Sequence, residues 1–318
     1  LLVGFAVFQV VWGLRYGHPM SVEPMKALAA LVIAGGLSTG EYVAAGLLAG
    51  AVLLVVGRTG TLGRLAPYVG EPVVRGIQVG VALILLRTGV TTGLETPSLA
   101  GLAVVVALVT VVAGHRQVAA LAVLGLGAAL AVGATGPMTP GLPAVTLLDP
   151  AAVSLSQNAV GATVGQLAMT VGNAAVATSL LVEEYFDAKA SPDDLSASMG
   201  VMNLLAVPLG AMPMCHGSGG VAGKYAFGAR TATSNLVLGG LYFLLAVVAV
   251  DAVAAFPMAV LGVVLVLVAI ELGRSGLDTS DPYLTGAIGV VALLTNVGVA
   301  FGVGIVGFHA LKRVRSED

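Results

Sequence analysis

Apolar residues run through this chain in long blocks, broken by short clusters of Gly, Pro and charge rather than by the regular alternation of half-buried elements. Blocks of this length match the roughly 20 residues a helix needs to cross about 30 Å of hydrocarbon. The spans expected are 1–16, 41–57, 73–90, 99–114, 117–133, 160–182, 195–212, 233–250 and 252–272, with two shorter ones over 282–311. Two further segments, 25–35 and 218–227, are too short to cross, and each follows an extended, proline-containing stretch. In the first, His18-Pro19-Met20-Ser21-Val22-Glu23-Pro24-Met25-Lys26, the prolines remove donors and hold the residues before them out of helical geometry. Helix therefore starts only near Pro24. The second, Ala211-Met212-Pro213-Met214-Cys215-His216-Gly217-Ser218-Gly219-Gly220, follows the same logic with a run of glycines leading into the helix. The pattern predicts an all-α polytopic membrane protein with two half-helices meeting at mid-membrane. Irregular backbone is tolerated in a bilayer only where it is buried or lines a cavity, so paired interruptions point to a transporter site and an inverted repeat. The repeats are assigned to 1–133 and 160–318, joined by an external connection over 134–159.

Composition agrees with lipid as the solvent. Of 318 residues 58% are hydrophobic and 9% charged, with mean hydropathy +1.01, against about 25% charge in a soluble domain. The net charge of -2, from 14 basic and 16 acidic residues, leaves no basic field for gripping nucleic acid. A single cysteine, Cys215, excludes an internal disulfide and a multi-thiolate metal site, and no cofactor is expected. Basic residues concentrate on the cytoplasmic side of short loops. Placing residue 1 outside puts Arg15, Arg58, Arg64, Arg116, Lys189, Lys224, Arg230, Arg274, Lys312, Arg313 and Arg315 on that side and leaves 134–157 outside with no Lys or Arg. The C-terminus is then cytoplasmic, in a multi-pass protein of the cell membrane. The segment count, about thirteen, is odd, and the chain does not begin with Met. A helix preceding Leu1 is expected to restore an even number.

Three motifs carry a family likeness: Pro24-Met25-Lys26-Ala27-Leu28-Ala29-Ala30, then Pro72-Val73-Val74-Arg75-Gly76-Ile77-Gln78-Val79-Gly80, then the 210–220 run from Gly210 to Gly220 continuing to Phe227-Gly228-Ala229-Arg230. Together they resemble the molybdate transporter family, a branch related to the sulfate permeases, over nearly the whole chain. The resemblance implies two inverted repeats of seven segments, no C-terminal regulatory domain of the kind many sulfate permeases carry, and molybdate as substrate with sulfate next. The chain departs from the family at Glu23, where Gln is usual, and at Ser218 and Lys224, where Ala and Gln are usual. The family's acidic, Gly-rich first-helix motif has no counterpart from Leu1 onward.

A helix N-terminus presents unpaired N–H groups and about half a positive charge, a natural seat for an anion. Met25 and Lys26 open one such terminus, and Gly217, Ser218 and Gly219 open the other, so the pair suits a tetrahedral oxyanion. The competing reading makes Gly219 and Gly223 a helix-packing pair. Lys26 either meets the anion, as intramembrane charge suggests, or snorkels, or pairs with Glu23. Glu23 either pairs with Lys26 or binds a proton, which brings a coupled proton or cation into the expected partners. The others are the oxyanion, the lipid bilayer and a second copy of the chain in a homodimer. His216, beside Cys215, either donates to the anion or packs. Gln166, Thr170 and Asn173 fall on one helical face and either line the pocket or bond neighbouring helices. Glu183, Glu184, Asp187, Asp193 and Asp194 read as a solvated loop, and Trp12 and Tyr16 as an interface anchor. An anion channel of the same fold is the alternative function. An enzyme is weaker, because no carboxylate is placed to orient His216 beside Ser218 and Cys215.

Overall fold

Prolines, glycines and short polar caps set where each helix begins and ends in the computed structural model, which describes residues 1–135, 140, 141, 147 and 149–315, apart from the side chains of 63, 65–67, 117, 173, 250 and 315. The first half runs α1 (Leu2–Tyr16), β1 (Val22–Pro24), α2 (Lys26–Ile33), α3 (Thr39–Thr59), α4 (Leu62–Val69), α5 (Glu71–Leu94), α6 (Pro97–Val112) and α7 (Ala119–Thr135). The second begins with α8 (Gln157–Met169), which passes through a π-helical stretch, Thr170–Val176, into α9 (Ala177–Phe186). It continues with α10 (Pro192–Ala206), β2 (Met214–His216), α11 (Ser218–Ala226), α12 (Thr233–Val248), α13 (Val250–Ala254), α14 (Met258–Leu277), α15 (Pro282–Leu294) and α16 (Val297–Arg315). Among the described residues five helical runs are long and apolar enough to span a bilayer: Thr39–Thr59, Glu71–Leu94, Gln157–Phe186, Met258–Leu277 and Val297–Val314.

The two half-helices fall where the prolines place them. Several span limits move. The helix expected over 195–212 starts three residues earlier, because Ser191 caps it through the Asp194 N–H. It stops at Ala206, where Pro208 and then Gly210, at φ 75°, turn the chain. The span expected over 252–272 is instead the short α13 followed by α14, because Pro257 starts the long helix. Of the two short spans expected over 282–311, the second is a full helix of 19 residues after a break at Thr295 and Asn296. Helix α4 lies between the spans expected over 41–57 and 73–90.

Packing repeats between the halves. Helix α3 lies along α10, and α1 lies along α12; exchanging α1 with α10 and α3 with α12 converts one pair into the other. The same exchange maps α5 and α14 onto each other, and among the described elements these two pack against each other most extensively. Their backbones touch: a Cβ on Gly89 would stand 2.6 Å from the Gly262 carbonyl oxygen, and one on Gly262 would stand 2.6 Å from Gly93 N. Only glycine permits that approach.

Between the half-helices the two extended stretches pair as an antiparallel ladder, Val22 with His216, Glu23 with Cys215 and Pro24 with Met214. Each outer edge is satisfied by an amide side chain from the preceding helix. Gln9 of α1 donates through Nε2 to the Val22 carbonyl at 3.1 Å. Asn203 of α10 accepts from the Met214 N–H and donates back to the Met214 carbonyl, both at 2.7 Å. These two buried amides supply what water would supply to an exposed strand.

Candidate functional site

The ladder aims both half-helix N-termini into one region, and each terminus is already capped by a side-chain oxygen from elsewhere. At α2 the cap is Gln166 of α8, whose Oε1 accepts the Ala27 N–H at 2.9 Å and the Leu28 N–H at 3.4 Å. Its Nε2 donates to Thr170 Oγ1 at 3.0 Å, one residue into the π-helical stretch. Both side chains are buried. At α11 the cap is Glu23 of β1, whose Oε1 accepts the Gly220 N–H at 3.0 Å and the Ser21 hydroxyl at 3.0 Å. Its Oε2 accepts Lys26 Nζ at 2.7 Å.

The carboxylate lies deep against the helix start. A Cβ on Gly217 would stand 1.9 Å from Glu23 Oε1, and one on Gly220 would stand 2.4 Å from it. Among the described residues a Cβ on Gly219 or Gly223 would meet nothing within 4 Å, which overturns the reading of those two as a packing pair. The glycines that matter are the ones that admit the carboxylate. The Lys26 side chain is 49% exposed and that of Glu23 19%, so in a membrane-embedded segment this pair must face a water-filled vestibule. Among the described residues the N–H groups of Lys26, Ser218 and Gly219 meet no protein acceptor.

The remaining expected site residues are scaffold or lie to one side. Met25 is fully buried, and its N–H donates to the Pro213 carbonyl at 2.9 Å. The Gly217 N–H goes to the Ser21 carbonyl at 3.4 Å. Cys215 is buried, with its thiol toward the Pro24 carbonyl at 3.7 Å. His216 is 1% exposed with both ring nitrogens engaged: Nδ1–H donates to the Ser21 carbonyl at 3.1 Å and Nε2 meets Ser198 Oγ at 2.7 Å. That arrangement leaves it no donor for a ligand. Asn173 has its side chain outside the described residues. Trp12 is 6% exposed and packs edge-on to His216, so it is a core residue and not the interface anchor expected. The acidic cluster supplies caps: Asp193 Oδ1 accepts the Leu62 N–H, and Asp194 bonds the Ser191 hydroxyl.

Sequence reasoning missed three participants. Ser21 lies two residues before Glu23, and on a strand such residues share a face, which is the signal that was present. Gly220 is the third residue of a helix opened by Ser218, hence a free N–H. Lys224 gives no local signal: its ammonium donates to Gln9 Oε1 and Asn235 Oδ1, each at 3.2 Å, and to the Met20 carbonyl. It knots α1, α11 and α12 together and is no surface lysine.

Half-helices paired across a ladder inside two interlocked helical repeats define an inverted-repeat membrane transporter fold. The chain belongs to the family described as molybdate transporter of MFS superfamily, which matches residues 1–85 and 158–272. Over its whole length it is 28% identical to molybdate transporter 2 of Arabidopsis thaliana, spanning 81% of that protein. It is also 28% identical to molybdate transporter 1 of the same plant, over 95% of this chain and 79% of that one. Among solved structures it shares its fold with the transmembrane domain of the cyanobacterial bicarbonate transporter BicA, at TM-score 0.69, 16% identity, and coverage of 94% of this chain and 88% of that one. SLC26A9 matches at TM-score 0.66 and 15% identity, over 97% of this chain and 63% of that one.

Proposed function

We propose that this chain is a secondary active carrier, not an enzyme, that takes a tetrahedral oxyanion, molybdate first and sulfate second, between the N-termini of α2 and α11. The observation that carries the reading is the donor set gathered there: the Lys26 ammonium, the Ser21 hydroxyl and the free N–H groups of Ser218 and Gly219, beside the already capped Gly220 N–H. Oriented N–H groups at a helix start favour an anion at little reorganisation cost. In this reading Gln166 and Thr170 fix α2, His216 and Cys215 hold the ladder in place, and residues 1–133 and 160–318 are the two repeats. The names of the plant relatives and their coverage of this chain favour molybdate over other oxyanions. The fold neighbours favour an anion pathway.

The test is uptake of labelled molybdate into proteoliposomes holding the full chain, with sulfate as competitor. Saturable uptake that sulfate inhibits is expected. Unsaturable uptake accompanied by conductance would replace the carrier with a channel, and absence of molybdate and sulfate uptake would remove the oxyanion reading.

A further inference from the structure

Glu23 occupies the place where the preceding reading seats the substrate. Its carboxylate is an anion held by one backbone N–H at a helix start, one hydroxyl and one ammonium, three donors on three chain segments. Gly217 and Gly220 lack the side chains that would expel it. A glutamate that merely neutralised Lys26 would need neither Ser21 nor the open backbone of α11. Resting on the oxyanion reading, we infer that Glu23 is a tethered competitor: it fills the α11 seat when no substrate is present, and an incoming oxyanion binds by displacing it.

The displacement has a definite chemistry. The Gly220 N–H, the Ser21 hydroxyl and the Lys26 ammonium exchange one carboxylate for one oxygen-rich dianion, so none of these three donors is left bare in either state. The freed carboxyl turns into the vestibule that already exposes 19% of its side chain. Protonation from the vestibule weakens its hold on donors, because hydrogen bonds to a charged acceptor are roughly twice as strong as those to a neutral one. Proton uptake on Glu23 and oxyanion binding therefore assist each other, so binding strengthens as pH falls. Other titratable groups surround it: Lys26 from α2, Cys215 and His216 from β2, Lys224 from α11 and Tyr242 from α12, with Tyr16 of α1 reached through its ring contact with His216. All of them persist in a Glu23→Gln protein, so the difference between parent and variant isolates Glu23.

Two measurements on the purified full chain in detergent test this. In the first, sulfate affinity is followed across pH by calorimetry for the parent and Glu23→Gln. The expected result is sulfate binding about tenfold tighter in Glu23→Gln than in the parent at the alkaline end, with the parent's pH dependence flattened. In the second, Glu23→Ala is melted in sodium chloride, acetate, sulfate and molybdate at equal ionic strength. Its melting temperature is expected below the parent's in chloride and to rise saturably with acetate and both oxyanions. Equal sulfate affinity in parent and Glu23→Gln at every pH would overturn the competition while leaving the oxyanion reading intact. Stabilisation of Glu23→Ala by acetate alone, in proteins that bind neither oxyanion, would support the tethered seat and sink the oxyanion reading. No stabilisation by any of the three anions would overturn the seat itself.

Discussion

Lys26 and Lys224 differ in what their ammonium groups meet, and that difference divides binding from stability. Lys26 faces a carboxylate and an open vestibule, whereas Lys224 is spent on three neutral oxygens that fasten α1 and α12 to α11. Lys26→Met should lower oxyanion affinity by tenfold or more, with the fold kept, because Ser21 and Gly220 still hold Glu23. Lys224→Met should instead leave buried oxygens of Gln9, Met20 and Asn235 with a donor removed, costing about 1.5 to 3 kcal/mol of stability. Calorimetric affinity and detergent melting on both variants check the pair, and equal loss of affinity in both would refute the division. The sequence exposed Lys26 because a charge stood alone in an apolar run. It hid the role of Lys224, because two of its three partners, Gln9 and Met20, lie more than 200 residues from it along the chain. His216 was ambiguous because its ring partners are on other elements, the Ser198 hydroxyl on α10 and the Ser21 carbonyl 195 residues away.

Prolines made the half-helices legible, since a missing donor and a restricted preceding residue act locally. The ladder between them was not legible, because three residues of extended chain carry no periodicity and their partner is almost 200 positions away. The glycine run shows the same limit. Sequence spacing singled out Gly219 and Gly223, while three-dimensional crowding singles out Gly217 and Gly220. Gly217→Ala should therefore evict Glu23 and obstruct any ligand at the α11 start, abolishing measurable sulfate binding. Gly219→Ala, with nothing within 4 Å of the added methyl, should bind within about threefold of the parent. Equal affinities in the two variants would show that the α11 start is not where the anion sits. The α5 and α14 crossing gives a comparison free of ligand. Gly89→Ala places a methyl 2.6 Å from a backbone oxygen of α14 and should cost about 1 to 3 kcal/mol. Gly101→Ala on the open face of α6 should be neutral, and melting in detergent reads both.

At the scale of the whole molecule, contacts distant in sequence bring basic residues to one end of the bundle. His309 near the end of α16, three residues before Lys312, bonds the Tyr68 carbonyl of α4. Arg75 at the start of α5 reaches Ser275 next to Arg274, and Arg116 pairs with Glu271 one turn earlier on α14. Arg75, Arg116 and Arg274 thus gather around the end of α14 as a basic collar, and Lys and Arg concentrate on the cytoplasmic face. Residues 134–157 carry no Lys or Arg, and α7, which leads into them, runs away from the collar beginning just after Arg116. That segment should be external and the end of the chain cytoplasmic. Thr139 and Asp318 lie outside the described residues, so their sidedness rests on charge and helix direction alone. Replacing Thr139 by Cys in a Cys215→Ala background gives a single thiol to label, since the chain has no other cysteine. An impermeant maleimide should modify it in intact cells, while a tag after Asp318 should be reached only after lysis. The reverse pattern would invert the molecule in the membrane.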